Sequence, residues 1–123
     1  MSNDSNDPLK PQGHAIGFID IPSVCESFVQ ALIQAGFPES KIMVLQGPDG
    51  VHRWEQIMGG SLWGESAEDE FKNGIAELEA GHSIVAIEVL DSDEAAQIGD
   101  ISQRFGGHGF YHFGILTDTR LTA

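Results

Sequence analysis

Two near-continuous apolar runs, His14-Ala-Ile-Gly-Phe-Ile-Asp-Ile21 and His82-Ser-Ile-Val-Ala-Ile-Glu-Val89, read as strands. Each is followed by a helix-start signal, an apolar stripe at helical spacing, a glycine stop and a second strand. The first strands begin at 14 and 82, 68 residues apart, and the second strands, near Lys41 and Phe110, lie 69 apart. Two β-α-β units at nearly constant offset predict a pseudo-symmetric α+β sandwich of the ferredoxin-like βαββαβ plan. That plan has a four-stranded antiparallel sheet in the order 4-1-3-2, with two helices on one face.

In the first half, Ser23-Val-Cys-Glu26 has the spacing of a capping box, Val24, Phe28, Ala31, Leu32 and Ala35 form the stripe, and Gly36 is the stop. A second strand is expected over Lys41 to Gln46. Between the halves, 47–80 reads as an insert: a turn over Gly47-Pro-Asp-Gly50, a short helix His52 to Met58 ended by Gly59-Gly60, and a loop from Ser61 to Glu65. A second insert helix, capped by Ser66, carries Phe71, Ile75 and Leu78 and stops at Gly81. Asp91-Ser-Asp-Glu94 starts the last helix, Ala95, Ile98, Ile101 and Phe105 are its stripe, and Gly109 to Thr117 is the last strand. The polar 1–13 reads as a disordered tail, 14–117 as a single domain and 118–123 as a short tail.

Strand parity sorts the two faces. With Asp20 and Glu88 kept out of the helix-covered core, Ala15, Gly17, Ile19 and Ile21, with Ser83, Val85, Ile87 and Val89, face the helices. Ile16, Phe18, Ile84 and Ala86 then lie on the opposite, open face and are too apolar to be left in water. Either the insert, with Trp54, Trp63 and Phe71, folds over them or a second subunit does.

The 123 residues include 19 acidic and 6 basic side chains, a net charge of −13. Such a field repels phosphate backbones and anionic lipid, which argues against nucleic-acid and membrane-surface binding. No apolar run reaches the ~20 residues of a membrane span, and no secretory signal precedes the domain, so a cytoplasmic protein is expected. The lone Cys25 fits a reducing compartment.

Candidate chemistry rests on histidines and carboxylates. His108 and His112 share one strand, where a separation of four puts both on one face but ~13 Å apart. Asp20 ends the first strand and Glu88 the third. In a strand the two histidines cannot hold one ion as a pair. With Gly106 to Gly109 still in the turn, His108 folds back, and Asp20, Glu88 and one or both of His108 and His112 are then the expected ligands of a divalent metal, or an acid–base pair, at one sheet end. The alternative is a histidine packed on aromatics beside solvated carboxylates. The first and third strands are expected as parallel neighbours, which brings His14 and His82 to the same end as a pH-sensitive contact or as polar strand starts. Cys25, in a helix's first turn, reads as a half-buried structural thiol. No nucleophile elbow and no phosphate-binding glycine loop occurs.

The run Ala31-Leu-Ile-Gln-Ala-Gly-Phe37-Pro38 leading to Ile42-Met-Val-Leu45, the run Gly81-His-Ser-Ile-Val-Ala-Ile-Glu-Val89 and the closing Phe113-Gly-Ile115 resemble an uncharacterised bacterial family of ferredoxin-like heat-induced or general stress proteins. The resemblance covers roughly 14–117 and implies a stress-linked or regulatory role, with no catalytic residue to carry over. The segment between the halves departs from that family in having fewer glycines and two tryptophans. The function expected from the sequence is therefore a non-enzymatic stress-related or regulatory domain, a homo-oligomer or partner-binding module working through its open sheet face. The competing expectation is a metal- or small-molecule-binding protein, extending to an enzyme, built on the His/carboxylate cluster.

Overall fold

The computed structural model describes residues 12–58, 65–114 and 118–122. The chain runs β1 (His14–Ile19), α1 (Pro22–Gln34), a 3-10 turn (Glu39–Lys41), β2 (Ile42–Leu45), α2 (Gly47–Met58), α3 (Glu65–Glu79), β3 (Ser83–Glu88), α4 (Ser92–Gln103), β4 (His108–Phe113) and β5 (Asp118–Arg120). The fold is α+β with an open, antiparallel, five-stranded sheet in the order β2-β3-β1-β4-β5. The expected sheet had four strands. The fifth, β5, lies in the stretch expected as a tail and pairs with β4. Leu121 and Thr122 then tie back to Phe110, whose amide donates to Thr122 Oγ1 at 2.9 Å. At the other terminus the expected tail residue Gly13 already belongs to the sheet, donating to Phe113 and accepting from Val89.

The pairing of the central strands differs from expectation. β1 and β3 are antiparallel, with His14 opposite Glu88 and Ile19 opposite Ser83. The reason is the crossover: α1 carries the chain over one strand position, so β1 runs parallel to β2, and β3 inserts between them antiparallel to both. His14 and His82 therefore lie at opposite ends of the sheet.

Several element starts also shift. α1 begins at Pro22, with Ile21 as N-cap and no side-chain cap bond, so Ser23 lies inside the helix and caps nothing. Proline in the first turn presets φ and has no amide to satisfy. The Gly47–Gly50 stretch, expected as a turn, is the first turn of α2, whose Gly50 amide reaches the Gln46 carbonyl at 2.9 Å. α4 starts as expected: Asp91 accepts from the Glu94 amide, and Glu94 accepts from the Leu90 amide. The expected Gly59-Gly60 stop, the Ser61 loop, Trp63 and the Ser66 cap fall outside the residues, or the side chains, that the structure describes.

Both faces of the central strands are buried, and the expected parity holds over Ala15 to Ile19 and Ser83 to Val89, whereas Ile21, expected on the helix-covered face, is the N-cap of α1 and is exposed. Ala15, Ile19, Val85 and Ile87 pack with Phe28 and Leu32 of α1 and Ala95 and Ile98 of α4. Ile16, Phe18, Ile84 and Ala86 pack instead with Trp54, Ile57 and Met58 of α2 and Leu78 of α3. Of the two expected covers it is the insert that lies over this face. Phe18 is 3% exposed, so the surface on which association was expected to run is not open. Trp54, fully buried, is the keystone of this layer; its indole Nε1 donates to the Phe71 carbonyl at 2.9 Å.

Trp54 fits because position 74 on α3 has no side chain: a Cβ there would lie 2.3 Å from the indole nitrogen. Glycine inside a helix ordinarily costs stability relative to alanine. Here the sign reverses, and Gly74→Ala is expected to destabilise the fold by about 1–3 kcal/mol, the cost of overpacking a filled core. Urea unfolding followed by tryptophan fluorescence measures it, and a more stable variant would show that α2 and α3 do not pack this way.

Candidate functional site

Four side chains converge where β1 ends and β3 and β4 begin. Asp20 follows β1, Glu77 lies in the last turn of α3, His82 immediately precedes β3, and His108 opens β4. Their ligand atoms all lie within 4.8 Å of one another. The contacts form a closed ring that alternates imidazole and carboxylate. His82 Nδ1 is 2.7 Å from Glu77 Oε1 and 3.2 Å from Asp20 Oδ1, while His108 Nε2 is 2.7 Å from Asp20 Oδ1 and 3.4 Å from Glu77 Oε1. No other group of three or more His, Cys, Asp or Glu among the described residues meets in this way.

Local backbone chemistry builds half of the ring. α3 ends in a glycine turn: Gly81, at φ +89°, donates to Leu78, and the His82 amide donates to the Glu77 carbonyl at 3.0 Å. This six-to-one bond is the Schellman arrangement, which brings the second residue past the helix against the residue three from its end. Glu77 and His82 are thereby neighbours before any tertiary contact forms.

A bulge builds the other half. In the β1–β4 ladder Ile16 opposes Tyr111 but Phe18 opposes His108, so β4 carries one extra residue beside Gly17. Gly109, at φ +65°, provides the left-handed residue that such a bulge needs. The extra residue turns His108 to the face of its partner Phe18, and the two rings lie 5.6 Å apart. His108 thus reaches the end of the insert-covered face, beside Glu77 and His82, and its ring meets that of His82 edge-on at 6.4 Å.

The four expected ligands therefore separate. Asp20 and His108 meet, 2.7 Å apart. Glu88 lies at the other end of β3, opposite His14, because β1 and β3 are antiparallel. His112 pairs with Ala15, a residue of the α1–α4 face, because the bulge reverses parity between it and His108. Glu77 and His82 were not expected here. Their signal was a carboxylate four residues before, and a histidine directly after, a helix-stopping glycine.

The ring is partly open to water, with side-chain exposures from 23% at Glu77 to 53% at Asp20. Each imidazole is held between two carboxylates. The ring nitrogens that now hydrogen-bond the carboxylates are the atoms that would bind a cation. Two imidazole nitrogens and two carboxylate oxygens form a mixed donor set suited to a borderline divalent ion. A tetrahedral ion with bonds of about 2.0–2.2 Å separates its ligand atoms by roughly 3.3–3.6 Å. The ring edges of 3.2 and 3.4 Å are near that spacing, and the two edges of 2.7 Å need open by less than 1 Å.

The other sequence candidates are structural. Cys25 is 1% exposed, and burial pushes its thiol pKa up, against a smaller lowering by the Ser83 hydrogen bond, so it is a core residue rather than a nucleophile. Trp54 seals the sheet. Glu70, on α3, has a buried Oε1 with no hydrogen-bond partner among the described residues. Burial pushes its pKa up to about 7, Arg120 opposing the rise and Asp69 adding to it.

A carboxyl whose pKa is higher folded than unfolded favours the native state while both forms are protonated and loses that ground as the unfolded chain ionises first. Stability is therefore expected to fall as pH rises from about 4.5 to about 7, by on the order of 1–2 kcal/mol once screening by water is allowed for. Melting temperatures across that window should show a steeper decline in the native protein than in Glu70→Gln. Parallel curves would show that Glu70 does not titrate in this range.

No protein-family model, no curated protein and no solved structure matches this chain.

Proposed function

We propose that the protein binds a divalent metal ion through Asp20, Glu77, His82 and His108. The observation that carries this reading is the closed imidazole–carboxylate ring, whose four ligand atoms lie within 4.8 Å of one another. Two carboxylates offset the charge of a dication, and two neutral imidazoles supply the nitrogen ligands that favour zinc and its neighbours over calcium or magnesium. The acidic surface adds to this, since a charge of −13 raises the local concentration of cations.

The frame beneath the site we read as ferredoxin-like. What supports this is that β1–β4 fall in the order 4-1-3-2 with α1 and α4 on one face, the insert and β5 being additions. Association through the other sheet face would require α2 and α3 to lift from a fully buried Trp54. Metal binding needs only a sub-ångström relaxation, and we prefer it for that reason. No helix among the described residues is long and apolar enough to cross a membrane.

Titration of chelator-treated protein with Zn²⁺ by calorimetry tests the proposal. One equivalent is expected to bind, and His82→Ala with His108→Ala is expected to weaken binding at least about a hundredfold, since these supply both nitrogen ligands. His14→Ala with His112→Ala, which removes two histidines outside the ring, should leave affinity unchanged. Equal loss in both double variants, or no binding by the native protein, would overturn the assignment.

A further inference from the structure

A cavity of about 130 Å³ lies on the insert-covered face at the end of the sheet away from the metal site, and it does not reach that site. Its apolar wall is Ile16, Met43, Ala86 and, from α2, Ile57. Its polar rim is a row across three strands. Ile42 pairs with Ile87 and His14 with Glu88, so continuing the register brings Lys41, Glu88 and His14 side by side. All three line the cavity.

We propose that this cavity binds a small zwitterion with an apolar side chain, of the class of the aliphatic amino acids. The size fits: an apolar cavity of ~150 Å³ holds a molecule as large as benzene, so this one takes a side chain of about four to six carbons. The rim carries both signs of charge. The ion pairs found among the described residues all lie in the Asp20–Glu77–His82–His108 ring, so Lys41 and Glu88 line one cavity without pairing to each other. A carboxylate in the cavity meets the Lys41 ammonium, and an ammonium meets the Glu88 carboxylate. His14 adds to the second contact: with Nδ1 donating to the Gln12 carbonyl at 3.0 Å, its Nε2 is an acceptor that can take an ammonium proton. A simple carboxylic acid leaves Glu88 facing it unpaired, and a simple amine leaves Lys41 so. A ligand with both groups engages the whole row, which a simple acid or a simple amine engages only in part.

Methyl-region NMR titration with L-leucine tests this, with 4-methylpentanoate and 3-methylbutylamine as analogues that each lack one charged group. Leucine is expected to shift the Ile16, Met43, Ile57 and Ala86 methyls at millimolar concentration, and each analogue to bind about tenfold more weakly. Lys41→Gln should weaken leucine about tenfold without affecting the amine, and Glu88→Gln should do so without affecting the carboxylate. Both positions lie at the sheet end outside the core, and the amide spectrum verifies that the variants fold. Unmoved methyls at about 20 mM leucine would overturn the proposal, as would 4-methylpentanoate binding as tightly as leucine.

Discussion

The rest of the structure depends on the central strands β1 and β3 being apolar on both faces. One face is covered by α1 and α4, as the repeated strand–helix–strand units require. The other carries Ile16, Phe18 and Ile84, each worth roughly 1.5–3 kcal/mol when buried, together with Ala86, and the chain covers it with its own insert. Trp54 of α2 locks that layer by entering the notch at Gly74 of α3 and donating its indole proton to Phe71. α3 is thereby fixed on the sheet, and its last turn places Glu77 and His82 at the ends of β1 and β4. The candidate metal site follows from how a hydrophobic face is covered.

The same helix stop serves two purposes in the two halves. After α1, Phe37 donates its amide to Leu32, and the two side chains are both buried in the core. After α3 the identical bond joins His82 to Glu77, and the apolar pair is replaced by an imidazole and a carboxylate 2.7 Å apart. Backbone geometry makes the contact in either case, while the side chains decide whether it is a hydrophobic seal or half of the imidazole–carboxylate ring. The β4 bulge completes the set by turning His108 to the same face, where Asp20 bridges to both imidazoles. Alternation of donors and acceptors around the ring keeps like charges apart and leaves each nitrogen pointing at oxygen.

The two ends of the insert-covered face differ in kind. At one end, titratable groups contact each other directly and a cation can replace the protons between them. At the other, Lys41, Glu88 and His14 surround an apolar cavity and face into it. Antiparallel pairing of β1 with β3 separates the two, since it sends Asp20 and His82 to one end and His14 and Glu88 to the other.

The sequence by itself determined the elements and their faces. The apolar runs beginning at His14 and His82, the stripes through Phe28 and Ile98, and the glycine stops at Gly36 and Gly81 are local signals, and period-two parity assigned Ile16 and Phe18 to the face that needed a second cover. Asp20 and His108 were legible as partners because the end of β1 lies beside the start of β4. Only the tertiary structure decided the rest. The sense of the β1–β3 pairing depends on which strand fills the gap left by a crossover, and it moved Glu88 away from Asp20. A single extra residue at Gly109 reverses every side chain beyond it, which parted His112 from His108 and is invisible to a periodicity count. Glu77 and His82 joined the ring because Trp54 draws α3 onto the sheet, a contact between residues 17 apart that no local pattern encodes.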